Sequence, residues 1–327
     1  MLKNTEKLKK LIQDSKKILL INHIKMDCDA FGSLGALYLL LEKLGKNVKA
    51  INDSETPKDF EFLLDKRIIE PELDIKDFDP DLIISLDSAS TSQLGEIFLK
   101  NEDFFQTKDF VVIDHHQTNP GFGSLNLVFP DYSSTCELLF DIFKDTGLIN
   151  LIDKKIATLL IAGIHTDTNI FYNQNTTSNT FLVASELVKL GADFRSPIYN
   201  FFQKISLKRL KLFGKAISSL KVKKDLVYGK LSLNDFEKTR TSLEDTAGIV
   251  NRLSNIEESE VVFMIYETEK GVKVSFRSKT LDIGSFCASF ENGGGHKNAA
   301  GFYLEKNLDE AEKIILERFY SFFKIKD

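Results

Sequence analysis

Acids and imidazoles recur in this chain at places where they can act together. The stretch KILLINHIKMDCDAFGSLG, from Lys17 to Gly35, carries His23, Asp27 and Asp29 directly after a short apolar run. Asp27 and Asp29 are two apart, so in an extended loop both carboxylates point to one side, an arrangement suited to two neighbouring cations. Carboxylates with imidazole form the mixed oxygen and nitrogen set used for manganese and other divalent first-row metals. Taken alone, HxxxDxD also describes an exposed acidic loop with a helix-capping Asp. Further acids decide the matter: Asp87 ends DLIISLD, Asp114, His115 and His116 end FVVIDHH, and His165 and Asp167 lie in GIHTDTNIF. All five histidines fall in such segments, the fifth being His296 in GGGH. Clustered carboxylates repel unless a cation or proton neutralises them, and a dinuclear metal site resolves that repulsion.

The elements that position these residues are short strands alternating with helical patterns. Ile18–Ile21, Val48–Ile51, the run before Asp87 and Phe110–Ile113 read as buried parallel strands. A helix-period segment from Gly32 through Leu44 follows the first. Helical patterns recur from Ser133 or Ser134 to Phe143, from Asp153 to about Ile164, and from Ser178 to Leu190, which Gly191 ends. Such alternation predicts βαβ units and an α/β, Rossmann-like parallel sheet flanked by helices, with the strand ends on one edge. In open α/β sheets that edge binds ligands.

Beyond it the pattern changes. Residues 196–220 read as a long helical linker with Lys208, Arg209, Lys211 and Lys215 on it. Strands at Leu226–Leu233, Val261–Tyr266 and Val272–Phe276, with helices at Leu243–Leu253 and Leu308–Phe323, predict a smaller C-terminal α+β domain. The expected division is thus 1–195, 196–220 and 221–327. Three glycines in GGGH allow close approach of backbone to a ligand and present N–H groups to an anion, while Arg277 offers a planar fork for phosphate. The seven basic residues between Lys208 and Lys224 read chiefly as a solvated face.

At 327 residues and 43% hydrophobic content the chain can bury a full core, and a net charge of −5 gives no global attraction to polyanions. Three scattered cysteines, Cys28, Cys136 and Cys287, with no CxxC pair, argue against a disulfide framework and for a reducing cytosol. No run approaches a membrane span, and the polar N-terminus lacks a signal peptide's apolar core.

Together HIKMDCDAFGS, the lone Asp87 at a strand end, VVIDHH and HTD resemble the DHH phosphoesterase superfamily, and SFRSK with GGGHKNAAG resembles its DHHA1 companion domain. Length and the set of domains are similar to the stand-alone nano-RNase and pAp-phosphatase branch. The resemblance implies a first cation held by His23, Asp27 and Asp87 and a second by Asp29, Asp87, His115 and Asp167, with Asp87 bridging. It further implies that Asp114 orients a ligating histidine and His116 faces the scissile phosphate, while Arg277, Ser278, Gly294, Gly295 and His296 bind substrate. Two divalent cations, manganese foremost, cleavage of very short RNAs and linear dinucleotides, release of phosphate from pAp, and a homodimer are likewise implied. Met26 and Cys28 stand where relatives often carry Pro and Gly, which leaves the loop path open and, if Cys28 is accessible, suggests oxidation sensitivity or zinc binding. Rival readings are a RecJ-like single-strand DNA exonuclease, a cyclic-dinucleotide phosphodiesterase, an inorganic pyrophosphatase and a non-catalytic nucleotide sensor.

Overall fold

Branched apolar runs without polar alternation become central strands, and the computed structural model, which describes residues 2–71 and 73–324, shows this directly. The chain divides into two compact units between Lys204 and Ile205. In the first, β1 (Lys17–Asn22), β2 (Asn47–Ile51), β3 (Leu82–Leu86), β4 (Asp109–Asp114) and β5 (Leu125–Val128) form one parallel sheet in the order 2-1-3-4-5. Ile18 and Leu20 of β1 pack on one side with Phe31 and Leu159, and Leu19 and Ile21 on the other with Phe98 and Phe105. Both faces are therefore covered, as a parallel sheet requires.

The order reverses between β1 and β3, and crevices at such switch points bind ligands. Register brings the strand ends level there. Asn22 pairs with Leu86, and Leu86 with Ile113. The next residues, His23, Asp87 and Asp114, must then stand side by side. Asp87 leaves its strand with φ 54°, a left-handed conformation that Asp tolerates better than most residues, and its N–H donates to the Ile113 carbonyl at 3.0 Å.

Several expected boundaries move. The first long helix runs Cys28–Lys43, not from Gly32, because Asp27 caps it by accepting from the N–H groups of Asp29 and Ala30. Helix Lys154–Asp167 extends three residues past the expected end, carrying Asp167 in its last turn. The helical linker is broken: Arg195–Ile198 and a π-helical turn, Tyr199–Gln203, end before Leu207–Ser218 begins. Strands Leu125–Val128, Lys221–Lys223, Asn292–His296 and Ala299–Leu304 were not expected.

The second unit holds β6 (Lys221–Lys223), β7 (Leu226–Leu231), β8 (Val261–Thr268), β9 (Gly271–Ser278), β10 (Asn292–His296) and β11 (Ala299–Leu304) in the order 10-11-9-8-7-6. Only β7 and β8 pair in parallel among them. One face packs Phe263, Phe276 and Phe286 against Ile315 and Phe319, and the other packs Val262, Met264 and Tyr266 against Leu212 and Ile249. No helix among the described residues is long and apolar enough to cross a membrane.

Candidate metal centre

At the switch point two sets of ligand atoms gather around one carboxylate. His23 Nε2 lies 3.7 Å from Asp87 Oδ2 and 3.8 Å from Asp27 Oδ1. His115 Nε2 lies 3.6 Å from Asp87 Oδ1, 3.3 Å from Asp167 Oδ2 and 3.9 Å from Asp29 Oδ2. Within each of the groups His23, Asp27, Asp87 and Asp29, His115, Asp167 the ligand atoms lie within 4.8 Å of one another. Asp87 turns one oxygen to each. Asp27 and Asp29 thus belong to different groups, and in place of the extended loop expected to point both to one side there is a helix start: one caps the helix from outside it and the other sits within its first turn.

This arrangement is electrostatically incomplete by itself. Asp29 and Asp87 are buried, and among the described residues no lysine or arginine pairs with Asp27, Asp29, Asp87 or Asp167. Burial, then the neighbouring charge of Asp27, pushes the Asp29 carboxyl up to about 6 even though it accepts N–H bonds from Thr135 and Cys136. Burial followed by Asp29, Asp87 and Asp27 pushes Asp167 up to about 10, and burial followed by Asp29 and Asp27 holds Asp87 well above the usual range. His23 moves the opposite way to an ordinary buried imidazole. Burial would lower it, but the facing Asp27, the Ile24 carbonyl and Asp87 raise it to about 9. Divalent cations would relieve the repulsion that raises these carboxyls, and the carboxylate and imidazole donors fit such ions.

Asp114 behaves differently. It is buried, and its Oδ1 accepts from His116 Nδ1 at 2.7 Å while Oδ2 accepts from Asn119 Nδ2 at 2.7 Å. It therefore orients His116, which forms a third ligand group with Asp87 and His115, and not His115 itself, whose Nδ1 faces the Tyr132 carbonyl at 3.3 Å. The Asp114 bond raises His116 to about 8, opposed by burial. With Nδ1 committed, Nε2 is the free donor, on a ring 4.5 Å from that of His115. Cys28 is buried and its thiol lies outside the three ligand groups found among the described residues, which removes the zinc and oxidation expectation. His165 is buried, two residues from Asp167 on the helix and so on another side of it, and packs edge-on against Phe171.

In the second unit a groove of about 540 Å³ opens on the uncovered face of β9, β10 and β11, lined by Lys273, Ser275, Arg277, Gly294, Gly301 and Tyr303 among others. Gly295 also borders it, at φ 142°, where a Cβ would lie 2.6 Å from the Ala299 carbonyl oxygen. Arg277 is braced by Asn251 Oδ1, 2.7 Å from its Nε. Ser278, however, does not join it. Consecutive strand residues point to opposite faces, and the Ser278 hydroxyl donates to Glu260 at 3.2 Å and accepts the Leu281 N–H at 2.8 Å. His296 is exposed and outside the groove lining. Of the basic residues on the 208–224 segment, Lys208, Lys215 and Lys221 pair with Asp245, Asp235 and Glu312, and Arg209 donates to the Ala247 carbonyl.

Sequence reading missed Thr135, Asn119 and Asn251. Thr135 was findable, since SSTCE announces a helix N-terminus that wants an anion.

Residues 17–164 match the DHH family, N-terminal domain, and residues 224–324 match the DHHA1 domain. A bifunctional oligoribonuclease and PAP phosphatase of Thermus thermophilus is 30% identical over 313 residues, covering 92% of this chain and 88% of its own length. The Bacillus subtilis protein of the same description is 27% identical, covering 92% and 93%. The crystal structure of an exopolyphosphatase-related protein from Bacteroides fragilis superposes with a TM-score of 0.80 at 26% identity, covering 98% of this chain and 96% of that one. These matches run through both units and through every segment of the cluster up to the last turn of the Lys154–Asp167 helix, and on that basis the chain belongs to the DHH family of phosphoesterases, with a DHHA1 domain as its second unit.

Proposed function

We propose that this chain is a metal-dependent hydrolase that cuts very short oligoribonucleotides and linear dinucleotides to nucleoside monophosphates and removes the 3′-phosphate of pAp. One observation carries the reading: Asp87 presents its two oxygens to two separate imidazole and carboxylate groups, the geometry a bridging ligand needs. Its relatives from Thermus thermophilus and Bacillus subtilis, described as oligoribonuclease and PAP phosphatase, support the choice of substrates. In this reading His23, Asp27 and Asp87 hold one divalent cation and Asp29, Asp87, His115 and Asp167 a second, manganese suiting the mixed donors best. When bound, such cations would lower the pKa of a water and offset charge on a phosphoryl group.

The chain's own residues do the rest. Asp114 fixes the His116 proton on Nδ1 and holds the ring charged at neutral pH, so its Nε2–H meets developing charge on a phosphoryl oxygen. Arg277, held by Asn251, receives a terminal phosphate in the groove with backbone N–H groups of Gly294 and Gly295 nearby. Three buried, unpaired cysteines accord with a reducing, cytoplasmic setting.

A panel with manganese tests this: pAp, RNAs from two to about ten nucleotides, and long single-stranded DNA. Turnover of pAp and of the shortest RNAs, with long DNA nearly inert and all activity lost in Asp87→Ala, is the expected outcome. Preference for long DNA would instead establish the RecJ-like alternative, and manganese binding without any turnover would establish a sensor.

A further inference from the structure

The Thr135–Asp145 helix begins against the acidic cluster, and its first residue reaches two of the acids at once. The Thr135 N–H donates to Asp29 Oδ2 at 2.7 Å, the Cys136 N–H to Asp29 Oδ1 at 2.9 Å, and the Thr135 hydroxyl to Asp87 Oδ1 at 2.9 Å. Thr135 and Asp29 are fully buried and Asp87 nearly so, which shields these bonds from water. Capping cannot be the hydroxyl's task. Ser134 is the N-cap and accepts the Glu137 N–H at 3.0 Å. Nor does the hydroxyl fasten the preceding loop, because Glu137 does that: its buried carboxylate takes the Ser133 N–H, the Thr180 hydroxyl and the Asn179 amide.

A bridging carboxylate must keep its plane fixed so that each oxygen faces its own set of ligands. Asp87 lies past the strand end in a left-handed conformation, where strand alternation no longer dictates the side chain's direction. Its Oδ1 is the oxygen facing His115, and that same oxygen receives the Thr135 hydroxyl. Hydrogen bonds to a ligand's second lone pair orient metal ligands and tune their affinity.

We infer that Thr135 is a positioning residue whose hydroxyl holds Asp87 in the rotation that lets it serve two divalent cations. The inference rests on the metal-centred reading given above, but its readout is metal uptake and does not require turnover. Manganese is titrated calorimetrically into protein stripped with EDTA, for wild type, Thr135→Val, which keeps the shape and removes the hydroxyl, and Thr135→Ser, which keeps the hydroxyl. Thr135→Val is expected to bind manganese about 10- to 100-fold more weakly, the range seen when such supporting partners are removed, and Thr135→Ser to stay close to wild type. With a substrate from the panel, kcat should fall in Thr135→Val while KM stays within about twofold, since the groove residues are untouched. Should Thr135→Val fail to fold by circular dichroism, Thr135→Ala against Thr135→Ser makes the same comparison.

Wild-type manganese affinity in the variants lacking the hydroxyl overturns the inference, as does equal damage in Thr135→Ser. A wild-type protein that takes up no manganese overturns it too. Tight manganese binding that depends on the hydroxyl, in a protein inert toward every phosphoester, would leave this inference standing and remove the proposed function alone.

Discussion

Replacing Asp167 by Asn should raise the stability of the metal-free protein and destroy its response to manganese. The Asp167 carboxylate accepts no hydrogen bond among the described residues, so the nearly isosteric amide removes a charge and little else. Burial and the three neighbouring aspartates hold this group near 10 in the fold, against 3.8 ordinarily. A carboxyl raised on folding contributes stability below its unfolded value, and that contribution drains away as pH rises toward the folded value. At pH 8 the gap above 3.8 is about four pH units, and at about 1.4 kcal/mol per unit the ceiling on the penalty is near 6 kcal/mol. The side chain is 20% exposed, so solvent relaxes part of this, and about 2–3 kcal/mol is the working expectation. For a unit of this size that corresponds to a rise in Tm of roughly 5–10 °C. At pH 5 the gap is about one unit, and the gain should shrink to about 1 kcal/mol or less. Calorimetric melts in EDTA at the two pH values measure both numbers. At a thousandfold excess of manganese over Kd the order reverses, because wild type then gains about 4 kcal/mol and the variant does not. An Asp167→Asn protein that melts at or below wild type in EDTA at pH 8 would refute the claim that uncompensated charge dominates this site.

Other outcomes follow from the same geometry. Arg277→Ala should raise KM for short substrates by roughly tenfold or more with kcat little changed, and Asn251→Ala, which only frees the guanidinium, should do the same more mildly; steady-state kinetics across substrate lengths would show it. Gly163→Ala should lose about 1–3 kcal/mol and weaken manganese binding, since its Cβ would sit 2.5 Å from Asp29 Oδ1 and 2.4 Å from Cys136 Sγ. Manganese affinity should climb between pH 6 and pH 9, because His23, held near 9, and the raised carboxyls must release protons to bind; a titration series with flat or falling affinity would count against these assignments.

Much of this centre was legible because strand ends are readable. Runs such as ILLI and FVVI declare buried strands, and the acid or histidine that closes each is pinned to the carboxyl edge by the parallel pairing that follows. What spacing alone did not disclose was which residues share a group. Asp27 and Asp29 separate because a capping bond starts the helix at Cys28, a decision made by one side chain and two backbone N–H groups. Asp114 selects His116 over His115 because Asn119 holds its other oxygen, a contact between loop residues that no periodicity encodes. Arg277 and Ser278 were grouped through the family resemblance, and strand alternation parts them. Arg277 faces Val262 and Ala299 across the ladder on the groove side, while Ser278 turns inward to Glu260.

A cluster this repulsive survives because its supports are distributed over the fold and not confined to loops. The strand register that levels His23, Asp87 and Asp114 is set by fully buried ladders, where a one-residue slip would turn each strand's apolar set to the wrong face. Against that frame, the helix start at Thr135 supplies two N–H groups and a hydroxyl to two buried acids, Asp29 and Asp87. Their partial positive charge offsets some of the repulsion but cannot be moved or released, unlike a proton or a cation. Ions therefore complete a preset arrangement without having to build it. The centre should then keep its geometry when stripped of metal, and loss of manganese should lower stability without unfolding the sheet that carries it.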